Sequence, residues 1–221
     1  MTMMTGVRQQ SGTQDRSIAK VPLAAGGVSA VLYVIADAFT SISYPGYHFA
    51  HQVISELSAV GSPTADLWTK FMLGYGVLFV AFVFGAFRAS RENPHLRRTA
   101  WLLFGFAATA PLWSFVPMQQ RGEQLRWTDT GHMLLGALSV LLMTSIVVTG
   151  AKVAGRTFRM YSWVTAAVVL VAGIATFGYI GRMLASASTP FVGIVERISI
   201  YGFMLWMAAL AIVLMRRQVY T

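Results

Sequence analysis

The chain has 221 residues, 56% of them hydrophobic and 11% charged, with a net charge of +9. Soluble domains carry about a quarter charged residues, so this composition excludes an ordinary soluble globular domain. Cysteine is absent, which excludes disulfides, thiolate catalysis and cysteine-ligated zinc.

A polar tail over residues 1–20 precedes the first apolar stretch, and residues 218–221 form a short tail after the last. Between them, six stretches of about twenty residues match the length a helix needs to cross hydrocarbon. They are Val21–Ser41, Leu67–Phe87, Thr99–Val116, Gly131–Gly150, Tyr161–Gly181 and Val195–Met215. The prediction is an all-α polytopic membrane helical bundle over residues 21–217, with six transmembrane helices and a short outer interfacial helix. The first stretch lacks a small-x-small cleavage site near its end and is read as a retained helix rather than a signal peptide.

Asp37 lies within the first span, about one turn from its end. An ionisable group at that depth marks a cavity, a partner or a site. The next stretch opens on Pro45-Gly46, closes on Gly61-Ser62-Pro63 and is too short to span. At about 100° per residue, His48, His51 and Ser55 share one arc, flanked by Gln52 and Glu56, while Phe49, Ala50, Val53, Ile54 and Leu57 fill the other face. The pattern predicts an amphipathic helix at the interface or tucked between helix ends.

Gly74 and Gly76 in the second span, and Gly173, Gly178 and Gly181 in the fifth, read as close-packing positions. Pro111 removes a backbone donor and predicts a kink in the third span. Asp129 stands one turn before His132 at the start of the fourth span, where it reads first as a helix cap or an anion near the positive helix end. Glu196 and Arg197 open the sixth span. Trp206 lies deeper and is expected inside the bundle.

Twelve of the seventeen basic residues fall on one side of a six-span topology: Arg8, Arg16, Lys20, Arg88, Arg91, Arg97, Arg98, Lys152, Arg156, Arg159, Arg216 and Arg217. The positive-inside rule then puts both termini in the cytoplasm, in a multi-pass protein of the cytoplasmic (inner) membrane. Orientation and attraction to anionic lipid heads account for the charge. No recognition motif accompanies it, so nucleic acid is not an expected partner.

Carboxylates show the reverse distribution: Asp37, Glu56, Asp66, Glu123, Asp129 and Glu196 lie at or near the outer side with His48, His51 and His132. Topology does not require this clustering. It predicts an outward-facing polar pocket built by Asp37, His48, His51, Ser55, Glu56, Asp129, His132 and Glu196. There a lipid or other amphipathic molecule would bind, its head against Asp37 and the histidines and an anion paired by Arg197 or Arg126. By residue type, His48, His51 and His132 with Asp37 or Glu196 also meet the inventory of a zinc site. A metal-dependent transmembrane hydrolase acting on a lipid is therefore one alternative, and a small transporter or assembly partner another. Spans two to six carry no charged residue in their middle portions, which argues against ion-coupled transport.

Tyr44-Pro45-Gly46, His51 and the run Ile54-Ser55-Glu56-Leu57-Ser58-Ala59-Val60-Gly61-Ser62-Pro63 resemble the signature that follows the first helix in the domain-of-unknown-function 998 family. His132 and Glu196-Arg197 agree with it, from about Val21 onward. That resemblance implies a small six-helix membrane protein with an important outer segment and no established reaction. A remoter likeness links the chain to transmembrane hydrolases that include alkaline ceramidases, which hold zinc with Ser, Asp and His. The chain lacks their later His-x-x-x-His pair and has six spans rather than seven.

Overall fold

In a computed structural model, the backbone is described for residues 4–220 and side chains for residues 21–217. The tails over 1–20 and 218–221 therefore lie outside the residues whose side chains are described. The chain is all-helical: α1 (Met4–Ser43), a 3-10 helix (Ile54–Ser58), α2 (Ala65–Ala89), α3 (Pro94–Thr109), a second 3-10 helix (Ala110–Phe115), α4 (Trp127–Gly150), α5 (Arg156–Phe177), α6 (Ile180–Leu184) and α7 (Val192–Tyr220).

Among the described residues, five helical segments are long and apolar enough to cross a membrane: Val21–Ser43, Ala65–Ala89, Trp127–Gly150, Arg156–Leu184 and Val192–Arg217. The chain is thus a polytopic membrane bundle with five long apolar helices. The third expected span differs from the rest. Asn93 caps α3 by accepting the Leu96 N–H at 3.0 Å, with Pro94 in the first turn. The α-helix then ends at Thr109 and passes into the 3-10 helix that contains Pro111, because proline cannot donate to the α-helical ladder.

This composite element still runs the length of its neighbour. Thr99 lies 3.4 Å from Thr149 near the C-terminal end of α4, and the Val116 carbonyl lies 2.9 Å from His132 near its start. The packing order closes a ring, α1, α2, α3, α4, α5, α7 and back to α1. Its core contains Phe82, Leu103, Ile146, Phe203 and Leu210. Trp206 is fully buried there, its indole N–H donating to Ser162 at 2.8 Å. At Gly85 the backbone of α1 comes so close that an added Cβ would lie 3.0 Å from Leu23 N. Gly173 makes room for Val140, whereas Gly76 and Gly181 have no such neighbour.

We call the end that carries residues 44–64 the cap end. The opposite end carries Arg88, Arg91, Arg97, Arg98, Lys152, Arg156 and Arg159, all exposed.

Candidate functional site

The cap segment is not the expected amphipathic α-helix. Turns cover residues 48–52, and only Ile54–Ser58 is helical, as a single 3-10 turn. The reason lies in where the carbonyls of residues 49–52 point. The Phe49 and Gln52 carbonyls accept from Arg197 Nη1 at 2.8 and 3.3 Å, Ala50 accepts from the Gly193 N–H at 3.1 Å, and His51 accepts from Arg121 Nη2 at 3.1 Å. Carbonyls given to tertiary donors are unavailable to the i→i+4 ladder of an α-helix. Ile54, Glu56 and Leu57 are buried, so the segment does tuck between the helix ends.

Two bidentate ion pairs fasten it. Asp37 on α1 meets Arg197 on α7 at 2.7 Å (Nε to Oδ2) and 2.8 Å (Nη2 to Oδ1). Asp37 is 0% and Arg197 3% exposed, and the carboxylate also accepts from the Tyr201 and Ser41 hydroxyls. The guanidinium carbon stands 3.6 Å from the centre of the Phe49 ring, close enough for a cation–π contact. The Tyr47 hydroxyl accepts from Arg197 Nη2 at 2.9 Å and faces the Gln52 and Val53 carbonyls at 3.1 and 3.0 Å. Burial pushes the Tyr47 hydroxyl above its ordinary pKa, against the opposing pull of Arg197.

In the second pair Arg121 reaches the buried Glu56 at 2.9 Å (Nε to Oε2) and 2.7 Å (Nη2 to Oε1). Glu56 also accepts from Gln52 Nε2 and the Val53 N–H at 2.7 and 3.1 Å. Arg121 Nη1 donates to Thr189 at 2.7 Å. Glu196 accepts from the Ile54 N–H, joining α7 to the 3-10 turn.

The histidines do not converge. His48 and His51 are exposed on the turns. His51 Nδ1 accepts from the Phe191 N–H at 3.1 Å, with the Phe191 ring edge-on at 5.5 Å. Phe191 has φ +63°, which for a bulky side chain costs on the order of 1–3 kcal/mol. His132 is at α4, its Nδ1 against the Val116 carbonyl and its ring edge-on to Trp113 at 4.7 Å. No group of three or more His, Cys, Asp or Glu side chains able to hold a metal occurs among the described residues. The expected zinc site at His48, His51 and His132 is therefore corrected: the His51 and His132 imidazoles are committed to separate backbone partners. Likewise, no hydrogen bond joins the Ser55 hydroxyl to a histidine among the described residues.

Asp129 acts as the sequence suggests, at the third position of α4, accepting from the Arg126 N–H at 2.8 Å. It also accepts from the Gln119 N–H at 2.7 Å. Arg126 thus contributes its backbone, and Arg197 binds Asp37 in place of the expected anion. Sequence reading missed Tyr47, Arg121, Thr189 and Tyr201, and placed Gln52 only on the flank of the polar arc. Tyr201, one helical turn after Arg197, left a usable signal: two polar groups on one face of a membrane helix.

Two hollows remain at this end. A cleft of about 520 Å³ runs along Ala38, Ser41, Ile42, Tyr44–Tyr47 and Phe49, but the Ser41 and Tyr47 hydroxyls on it already serve Asp37 and Arg197. A smaller cavity of about 90 Å³ lies between the 118–125 loop, the start of α4 and α6. Its lining mixes polar side chains, Gln119, Arg121, Glu123, Asp129 and His132, with the apolar Met118, Met133, Ile180 and Met183. His132 Nε2 is buried without a hydrogen-bond partner.

Residues 27–213 match a family model described as "Protein of unknown function (DUF998)". No curated protein and no solved structure matches the chain.

Proposed function

We propose that this chain, which belongs to the DUF998 family, binds a lipid or other amphipathic small molecule at its cap end, in the cavity beside His132. The supporting observation is that this cavity is lined both by polar side chains, Gln119, Arg121, Asp129 and His132, and by the methionines Met118, Met133 and Met183. A mixed lining of this kind fits one polar group and the start of an apolar chain. Methionine side chains adapt to irregular tails, and the exposed Leu125 and Leu184 on the rim give such a tail a route to the bilayer.

In this reading the chain crosses the membrane six times, α3 and its 3-10 continuation making the third crossing, since helices of 16 and 6 residues extend about 24 and 12 Å. The basic end faces the cytoplasm with both termini, and the cap faces outward. The two ion-paired networks keep the cap closed, and the cavity is lined by Arg121 from one of them and by Asp129, which backbone N–H groups hold in place.

The test is photolabelling of the purified protein in phosphatidylcholine nanodiscs with a diazirine-bearing decanol, read by peptide mass spectrometry. Saturable labelling of residues 118–133 and 180–184, suppressed by excess 1-decanol, is the expected result. Unsaturable labelling spread along the lipid-facing helices would overturn the reading.

A further inference from the structure

Residues 185–191, which join α6 to α7, meet the cap at one titratable side chain. We infer that His51 is an acid-sensitive latch: protonation of its ring releases the Phe191 end of that connection from the cap, whether or not the cavity takes a ligand. Three hydrogen bonds hold the connection. The Phe191 N–H donates to His51 Nδ1 at 3.1 Å, the Thr189 hydroxyl donates to the His51 carbonyl at 2.8 Å, and Arg121 Nη1 donates to Thr189 at 2.7 Å. The last two join groups that keep their charge near neutral pH; the first does not. Because Nδ1 accepts, the neutral ring carries its proton on Nε2. A second proton enters at Nδ1, where it faces the Phe191 N–H, so that two donors stand against each other and the bond is lost. His51 is exposed, so water supplies that proton directly. His132 is the contrast within the same chain: its Nδ1 stands against the Val116 carbonyl, which accepts from a neutral or a charged ring alike.

The segment that His51 holds is strained. Phe191 at φ +63° and Ser186 at φ +51° are the two non-glycine residues with positive φ among the described residues, and both belong to this connection. Phe191 stands immediately before α7, so a return to negative φ redirects the chain that enters the helix. Nothing on the neighbouring elements offsets the loss. Arg121, whose Nη2 donates to the His51 carbonyl, is paired with Glu56. Arg197, which holds the Phe49 and Gln52 carbonyls, is paired with Asp37. Glu196 accepts from the Ile54 N–H, and Arg182 donates to the Ser188 carbonyl. His48, three residues earlier, contributes its carbonyl to the His51 N–H. Among the described residues no carboxylate pairs with the His51 ring, so a charged ring gains no partner for the bond it gives up.

The test is hydrogen exchange of the purified protein in phosphatidylcholine nanodiscs, read by mass spectrometry of overlapping peptides and corrected for the intrinsic pH dependence of exchange. It runs from about pH 8 to 5, the range over which histidine changes charge. Protection of the Phe191 amide is expected to fall about five- to ten-fold in acid, as for the loss of one hydrogen bond, while amides in the middle of α7 keep theirs. His51→Asn puts an amide oxygen in the place of Nδ1, an acceptor that takes no proton in this range, so its protection should be equal at both ends. His48→Asn should respond as wild type does. An unchanged Phe191 amide in wild type, or a fall that persists in His51→Asn, would overturn the inference. Should His51→Asn fail to fold, nitrogen-15 spectra of histidine-labelled His48→Asn protein decide: one ring must gain its second proton with the same midpoint as the loss of Phe191 protection. If no ring titrates with that midpoint, the latch is not His51 and the proposal sinks.

Discussion

The two ends of this bundle use charge in opposite ways. At the cap end, Asp37 and Glu56 are buried and each meets a guanidinium in a bidentate pair. At the other end, Arg88, Arg91, Arg97, Arg98, Lys152, Arg156 and Arg159 are exposed, and none forms an ion pair with a described residue. Cap charges therefore hold conformation, because a buried ion left without its partner is strongly unfavourable. Charges at the basic end stay hydrated, and in the proposed topology they set orientation instead. A count of net charge merges these two roles; burial separates them.

Removing the keystone of the cap breaks this contrast most sharply. Arg197→Met leaves Asp37 buried and uncompensated, and is expected to cost about 3–5 kcal/mol, read as a lower midpoint of unfolding in mild detergent. Combining it with Asp37→Leu should recover much of the loss, since an apolar replacement of a buried pair is often neutral. A single variant as stable as wild type would mean that the pair does not hold the cap. A smaller effect is expected at Tyr47, where Tyr47→Phe removes the hydroxyl that accepts from Arg197 and serves two carbonyls, for about 1 kcal/mol. The sign with pH follows from the raised folded-state pKa of Tyr47. Its contribution is complete below the ordinary tyrosine value of about 10 and is lost as pH rises through the higher folded value. The stability gap between wild type and Tyr47→Phe should therefore narrow in strongly alkaline buffer; a gap that widens would contradict this.

Much of the architecture was legible because the membrane imposes it. Apolar runs of spanning length, Pro111 as the point where α-helix yields to 3-10 helix, and Trp206 as a core residue all follow from local chemistry. Asp37 announced that it needed a partner, but not that the partner would be Arg197, 160 residues away. Pairing across a bundle is decided by packing order, which periodicity does not encode. The segment from His48 to Leu57 misled for a related reason. Its 3.6-residue pattern fits a helix, yet Arg197, Gly193 and Arg121 claim four successive carbonyls and unwind it. The histidines were adjacent in composition and separate in space: His132 answers to Val116 across from α4, His51 to Phe191. Residue inventory suggested zinc; backbone partners removed it.

The smallest expected effect on stability, and the cleanest test of the contrast, lies at the basic end. Arg88, Arg91, Arg97 and Arg98 are exposed around the α2–α3 turn; of these, Arg88 has a ring contact, 5.8 Å from the centre of Phe84. Replacing any one with Gln should move stability by less than about 0.5 kcal/mol, as for surface positions generally. Replacing all four removes a large part of the positive excess that sets orientation. Reporter fusions at both termini should then find a mixed population, part of it inverted, while correctly inserted molecules unfold as wild type does. If orientation holds but stability falls by several kcal/mol, the basic end is structural after all and the division between the two ends fails. If both hold, the remaining cations of the tail and the α4–α5 turn still outweigh Arg121, Arg126, Arg182 and Lys70 of the cap end, and the four arginines of the α2–α3 turn are not what sets sidedness.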